Sequence, residues 1–197
     1  MQLKCEPFDG NIETGRLPET PEVRLEAVAP ERHRPLIERW LRSPHVVQWW
    51  GTQEEFLSTL ERRSSDAHAL IAAGGRPVGY LCWQLPSREE LEAAHLTDLP
   101  ETLVDIDIMI GEPEYVGCGI GPMALTLLLK RLESEGVEVA GVATSVSNRS
   151  AIRAFEKAGF GLFRDFEEPD GRYRYMVTQL RRAVEQPVAA DGAARRR

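Results

Sequence analysis

The sequence predicts one α/β domain built on a single sheet, and three observations carry that expectation. Val104, Ile106, Ile108 and Ile110 alternate with Asp105, Asp107 and Met109, the period-two pattern of a strand with two unlike faces. A glycine-rich turn follows, with Gly117, Gly119 and Gly121 at every second position, and then a breaker-free run of helix formers over 123–133. Two further strand pairs are legible, a hairpin turning at Gly74-Gly75 and a closing pair turning at Pro169-Asp-Gly171.

The chain has 197 residues, enough for one domain with a sizeable core, and 42% hydrophobic residues is ordinary for a globular protein. No apolar run reaches the length of a membrane span, and the first residues lack a signal-peptide stretch, so a cytoplasmic protein with no membrane partner is expected. Cys5, Cys82 and Cys118 are odd in number and far apart, which suggests neither a disulfide framework nor a metal site. Net charge is −7, from 31 acidic and 24 basic residues; this disfavours nucleic acid and suits a cationic small-molecule partner.

In chain order, residues 1–21 are rich in glycine and proline and read as an extension of uncertain order. Residues 23–29 alternate as a first strand. Leu36, Ile37, Trp40 and Leu41 share helical spacing over 31–41, and Ser43-Pro44 stops that helix. Trp49 and Trp50 are neighbours and point apart, so one is free to line a cleft while the other packs; packing of both under a loop is the alternative. Thr52 and Glu55 form a capping box for a helix to about residue 63. His33 and His45 read as surface or packing residues.

Residues 67–73 and 77–84 make the hairpin. The stretch 85–103 carries Glu89, Glu90, Glu92, Asp98 and Glu101, with a short helix expected after Ser87. It reads equally as an acidic flap over a polycation or as an exposed polar helix. Residues 137–143 form a buried strand, Ser147 or Asn148 caps a helix over 149–158, and Gly159 stops it. Strands follow at 160–166 and 172–180, and the chain from 183 reads as a disordered tail. One domain over 22–182 results.

Strand, glycine turn and helix N-terminus together make an anion site, because successive amides and the helix dipole point at the ligand. The spacing is neither G-x-G-x-x-G nor a P-loop. Cys118 within the turn is either a small filler or a reactive thiol.

Val116-Gly-Cys-Gly-Ile-Gly121 resembles the acyl-coenzyme A pyrophosphate loop of the GNAT superfamily of N-acetyltransferases, and 148–160 resembles that superfamily's last helix and the strand beyond it. Within it, 45–51, Ile106-Asp107 and Pro169-Asp-Gly171 are similar to aminoglycoside 6'-N-acetyltransferases. The resemblance implies a mixed, mostly antiparallel central sheet flanked by helices, with a splayed central strand pair holding acetyl-coenzyme A, and no metal. It implies cofactor contacts at Ile108, Met109, Ile110, Val116, Gly117, Cys118, Gly119, Ile120, Gly121, Asn148 and Phe155.

The resemblance also places Trp50 at the substrate wall and Asp107 as the general base. Asp105, on the same face, competes for that role, and Asp170 is either a second ammonium contact or an ordinary turn aspartate. Three positions depart from the family pattern: Phe155 stands where many of these enzymes have a tyrosine, Val116 where glutamine or arginine is usual, and Ala143 where an acid helps bind aminoglycoside. Either Tyr115, Tyr175 or water then protonates the leaving thiolate, or the thiolate leaves unprotonated, which a thiol of pKa about 8.5 tolerates. The expected activity is acetylation of an aminoglycoside 6'-amine by a monomer or weak homodimer. The alternatives are acylation of a hydroxylysine-type siderophore precursor or another small polyamine, and a non-catalytic acyl-coenzyme A or antibiotic binder.

Overall fold

The computed structural model describes residues 21–50, 57, 60, 67–100 and 102–180. The expected extension before Pro21, the Thr52/Glu55 capping box and the tail from 183 lie outside the described residues. Seven strands form one sheet in the order β1-β2-β3-β4-β5-β7-β6. They are β1 (Val23–Glu26), β2 (His68–Ala73), β3 (Arg76–Gln84), β4 (Val104–Ile110), β5 (Val139–Ser145), β6 (Gly161–Glu168) and β7 (Gly171–Gln179). Every neighbouring pair is antiparallel except β4–β5. The helices are α1 (Pro30–Leu41), α2 (Pro44–Val47), α3 (Arg88–Ala93), α4 (Ile120–Ser134) and α5 (Arg149–Lys157).

One parallel pair breaks the pattern, and the site depends on it. β4 and β5 are registered only at Val104↔Ala140 and Asp105↔Gly141. Beyond that point they diverge, so the sheet consists of two halves joined at the base of a split. On one face a single apolar core crosses both halves: Ile106 of β4, Val142 of β5, Leu125 and Leu128 of α4 and Phe155 of α5 belong to it. The opposite face carries two separate cores. Trp40, Val46, Tyr80 and Met109 pack under α1 and α2, while Leu91, Leu96, Leu103, Val139 and Tyr175 pack around α3.

Most elements lie within a few residues of their expected positions. β1 ends at Glu26, before the alternation does. α4 starts at Ile120, three residues earlier than the composition suggested, because Gly119 serves as its N-cap at φ +81°. Gly121 therefore belongs to the first helical turn and not to the loop. The stretch 85–103 holds the exposed polar helix, with Glu89, Glu90 and Glu92 of α3 facing solvent, and Leu91, Leu96 and Leu103 anchor it in the third core. Ser87 accepts from the Glu90 amide and Glu90 returns a bond to the Ser87 amide, a capping box that fixes the start of α3.

Candidate active site

β4 leads into the site. At its end the amides of Gly111 and Glu112 both donate to the Val78 carbonyl, at 2.8 and 3.1 Å. Two residues facing one is the pattern of a bulge, which bends the chain out of the sheet. Glu112 is buried and held by the Arg39 guanidinium and by Trp40 Nε1 at 3.0 Å, which fastens α1 to this bend. A side chain at Gly111 would run into the Trp40 ring, so the fastening also requires glycine there.

The loop beyond the bend holds Gly117 and Gly119 at φ +80° and +81°, where residues with a Cβ are strained. Neither would crowd a neighbour if a Cβ were added. The glycines are thus demanded by backbone shape and not by space. With Gly119 as N-cap, the Ile120 and Gly121 amides have no carbonyl partner inside α4 and face outward with the positive end of the helix dipole. Pro122 lacks an amide. On the other wall, Asn148 Oδ1 accepts from the Ala151 amide at 3.1 Å and caps α5.

These pieces enclose a cavity of about 600 Å³ that runs through the split. Its walls are Ile108, Met109 and Ile110 of β4, then Val116, Gly117, Gly119, Ile120 and Gly121, with Asn148 and Phe155 opposite and Trp50 at the far end. The cavity also takes in residues that sequence reading passed over or misjudged. His45, read as a surface or packing residue, lines it and hydrogen-bonds the Ile110 carbonyl at 3.0 Å. Trp49 joins Trp50 in the lining, and Trp50 also meets the Tyr80 ring edge-on. Arg149, Arg153 and Lys157, spaced four apart on α5, add basic side chains to the lining. That spacing was visible in the sequence as a signal for one cationic face.

Four expected residues lie outside this lining. The Cys118 thiol turns back to the carbonyls of Glu114 and Val116, at 3.5 and 3.9 Å, which favours the filler reading. Asp170, at the exposed β6–β7 turn, accepts from the Tyr173 hydroxyl at 2.8 Å. Asp107 is exposed on the α1/α2 face of β4, with the Cys82 thiol 3.8 Å from its Oδ2. Asp105 is half-buried two residues back on that face, where the Tyr175 hydroxyl donates to its Oδ1. Tyr175 is therefore committed to Asp105, whereas Tyr115 lines the cavity.

Burial raises the Asp105 carboxyl to about 6; the Tyr175 hydrogen bond opposes that rise, and the negative charges of Asp107 and Glu90 reinforce it. Burial, then the charge and hydrogen bond of Asp105, push the Tyr175 phenol far above its ordinary value, so it stays a donor. A cavity with amides and basic side chains in its lining and carboxylates beside the split suits a long anionic ligand meeting a cation.

A family model described as an acetyltransferase (GNAT) domain matches residues 29–167. The chain belongs to the GNAT acetyltransferase family. It is 30% identical over 165 residues to an aminoglycoside N(6')-acetyltransferase type 1 of Klebsiella pneumoniae, covering 76% of this chain and 79% of that protein. An aminoglycoside N(6')-acetyltransferase type 1 of Serratia marcescens matches to the same extent. Among solved structures, AAC(6')-Ib with paromomycin and acetyl-coenzyme A superposes with a TM-score of 0.67 at 24% identity, over 85% of this chain and 99% of that one. The aminoglycoside N(6')-acetyltransferase of Legionella pneumophila gives 0.62 at 18% identity, over 80% and 92%. The mixed sheet split between β4 and β5 is the fold they share. Acetyl-coenzyme A is the family's acyl donor.

Proposed function

We propose that this GNAT acetyltransferase moves the acetyl group of acetyl-coenzyme A to the 6'-amine of an aminoglycoside. One observation carries the reading: Asp107 projects from β4 just past the last β4–β5 register pair and directly precedes Ile108, which lines the groove. The aminoglycoside half rests on the 30% identical relatives and on solved structures that hold kanamycin with coenzyme A.

In this reading the Gly117–Gly121 backbone and the N-terminus of α4 bind the pyrophosphate, and Arg149, Arg153 and Lys157 add charge. The strand backbone at Ile108 and Met109 flanks the pantetheine arm and supplies an N–H to the thioester oxygen. The Ile110 carbonyl is already engaged by His45. Asn148 and Phe155 close the opposite wall, and Trp50 walls the substrate side. Asp107 attracts the substrate ammonium and takes one proton from it, directly or through water. The freed amine attacks the thioester carbonyl carbon, a C–N bond forms and the C–S bond breaks. The sulfur leaves with the bonding pair, and the proton still carried by the attacking nitrogen passes to it through Tyr115 or water.

The test is release of coenzyme A, read with a thiol reagent, across a panel of aminoglycosides, small polyamines and hydroxylysine-type precursors. Release with aminoglycosides, and an acetyl group located at the 6'-nitrogen by mass spectrometry, is expected. Release with the other amines alone would replace the substrate. Saturable binding without release would make the protein a binder.

A further inference from the structure

The proposed base does not stand alone. Asp105 precedes Asp107 by two positions on the same face of β4, at the last register pair before the split. Its partner across β5 is Gly141, and this glycine is needed. A Cβ there would overlap the Tyr175 hydroxyl and stand 2.9 Å from Asp105 Oδ1. The missing side chain leaves a gap on β5 through which Tyr175, two strands away from Asp105, reaches it from β7. Three strands thus cooperate to hold one carboxylate at the base of the groove, in the space between the two cores of that face. A charged side chain with no catalytic task would more cheaply face water.

We propose that Asp105, placed by Tyr175 across the Gly141 gap, pairs with Asp107 so that the two carboxylates carry one shared proton during turnover. The inference rests on the acetyltransfer reading above. The pair enters the reaction doubly ionised and accepts the ammonium proton. It keeps that proton while the C–N bond forms and the C–S bond breaks, then releases it to water. Repulsion between two adjacent carboxylates makes the first protonation easier than that of a lone aspartate. Asp105 is a positioning residue in this scheme, acting through Asp107. The groups facing it are Asp107 on its own strand, Glu90 from α3 and Tyr175 from β7; Gln84 of β3 and Gly141 of β5 bring no charge. The position of its carboxyl, about 6, fits this role.

The experiment compares wild type with Asp105→Asn, which keeps an acceptor for Tyr175, and with Tyr175→Phe. Two readouts are taken. The first needs no substrate: urea midpoints as a function of pH. A folded-state carboxyl held above its unfolded value of about 3.9 binds its proton more tightly in the native chain. Stability is then lost as pH rises from about 4 to about 6 and is level above. The wild-type midpoint minus that of Asp105→Asn should fall across this window; a constant difference overturns the inference. The second readout is the acid limb of kcat/KM. Asp105→Asn should move it down by about one pH unit or more, because the repulsion is gone. Tyr175→Phe should move it up, because ionised Asp105 loses its donor. A limb that stays in place in Asp105→Asn also overturns the inference. If wild type acetylates no amine at all, the functional reading fails, and the pairing is then judged on the urea midpoints of Asp107→Asn: a narrower pH window than wild type supports it and an unchanged window overturns it.

Discussion

At the loop end of the groove the ligand-facing groups are main-chain amides, presented by Gly117, Gly119 and the first turn of α4. At the proposed amine end they are side chains: the tryptophans around α2 line the cavity, and Asp107 stands on β4 ahead of Asp105, which the buried Tyr175 holds. The first end is written in one contiguous stretch, since a backbone cradle is a local conformation. The second is assembled from segments that meet only because β7 returns to pair with β5. A backbone end should therefore tolerate most side-chain changes and fail on shape, while a side-chain end should fail on single functional groups.

The largest effect expected from that contrast is at Asp107. Asp107→Asn should cut kcat/KM by about 100-fold or more, the usual worth of a positioned base, with the acetyl-coenzyme A dissociation constant unchanged by calorimetry. Near-normal turnover would remove Asp107 from the chemistry. Next is Gly141→Ala, whose methyl would displace the Tyr175 hydroxyl. Overpacking of this kind costs about 1–3 kcal/mol, read as a lower urea midpoint, and turnover should fall with it.

Smaller effects belong to the other end. Gly119→Ala meets no neighbour, so only the φ of +81° resists it. A loss of about 1 kcal/mol in stability and a raised KM for acetyl-coenzyme A are expected, with kcat kept. A kcat drop instead would mean that the two ends are not separable. Smallest is Asn148→Ala, which removes the cap of α5 and should cost about 1 kcal/mol by thermal melt, with a modest loss of donor affinity.

How much of this was readable beforehand follows the same division. The strand before the loop, the loop and the cap at Asn148 each carry a local signature, and their places in the fold came close. The start of α4 was misjudged because Gly121 and Pro122 look like turn residues, yet both suit a first helical turn, where amides have no partners anyway. The Asp105–Tyr175 contact was not legible, since 70 positions separate the two residues and nothing local links them. Gly141, inside an apolar run, gave no hint that its missing side chain made room for a hydroxyl. In the stretch 85–103 the exposed polar helix was legible from its acids, but the anchors Leu91, Leu96 and Leu103 were not, because their partners lie far along the chain.

The meeting of the half-sheets at only two residue pairs has a mechanical side. The sheet has a crease, laminated on one face by the continuous layer under α4 and α5 and flanked on the other by two separate cores. A donor bound in the crease, as proposed above, would span both halves and work as a splint. Slower amide exchange in β6 and β7 on adding acetyl-coenzyme A is the expected sign of that coupling.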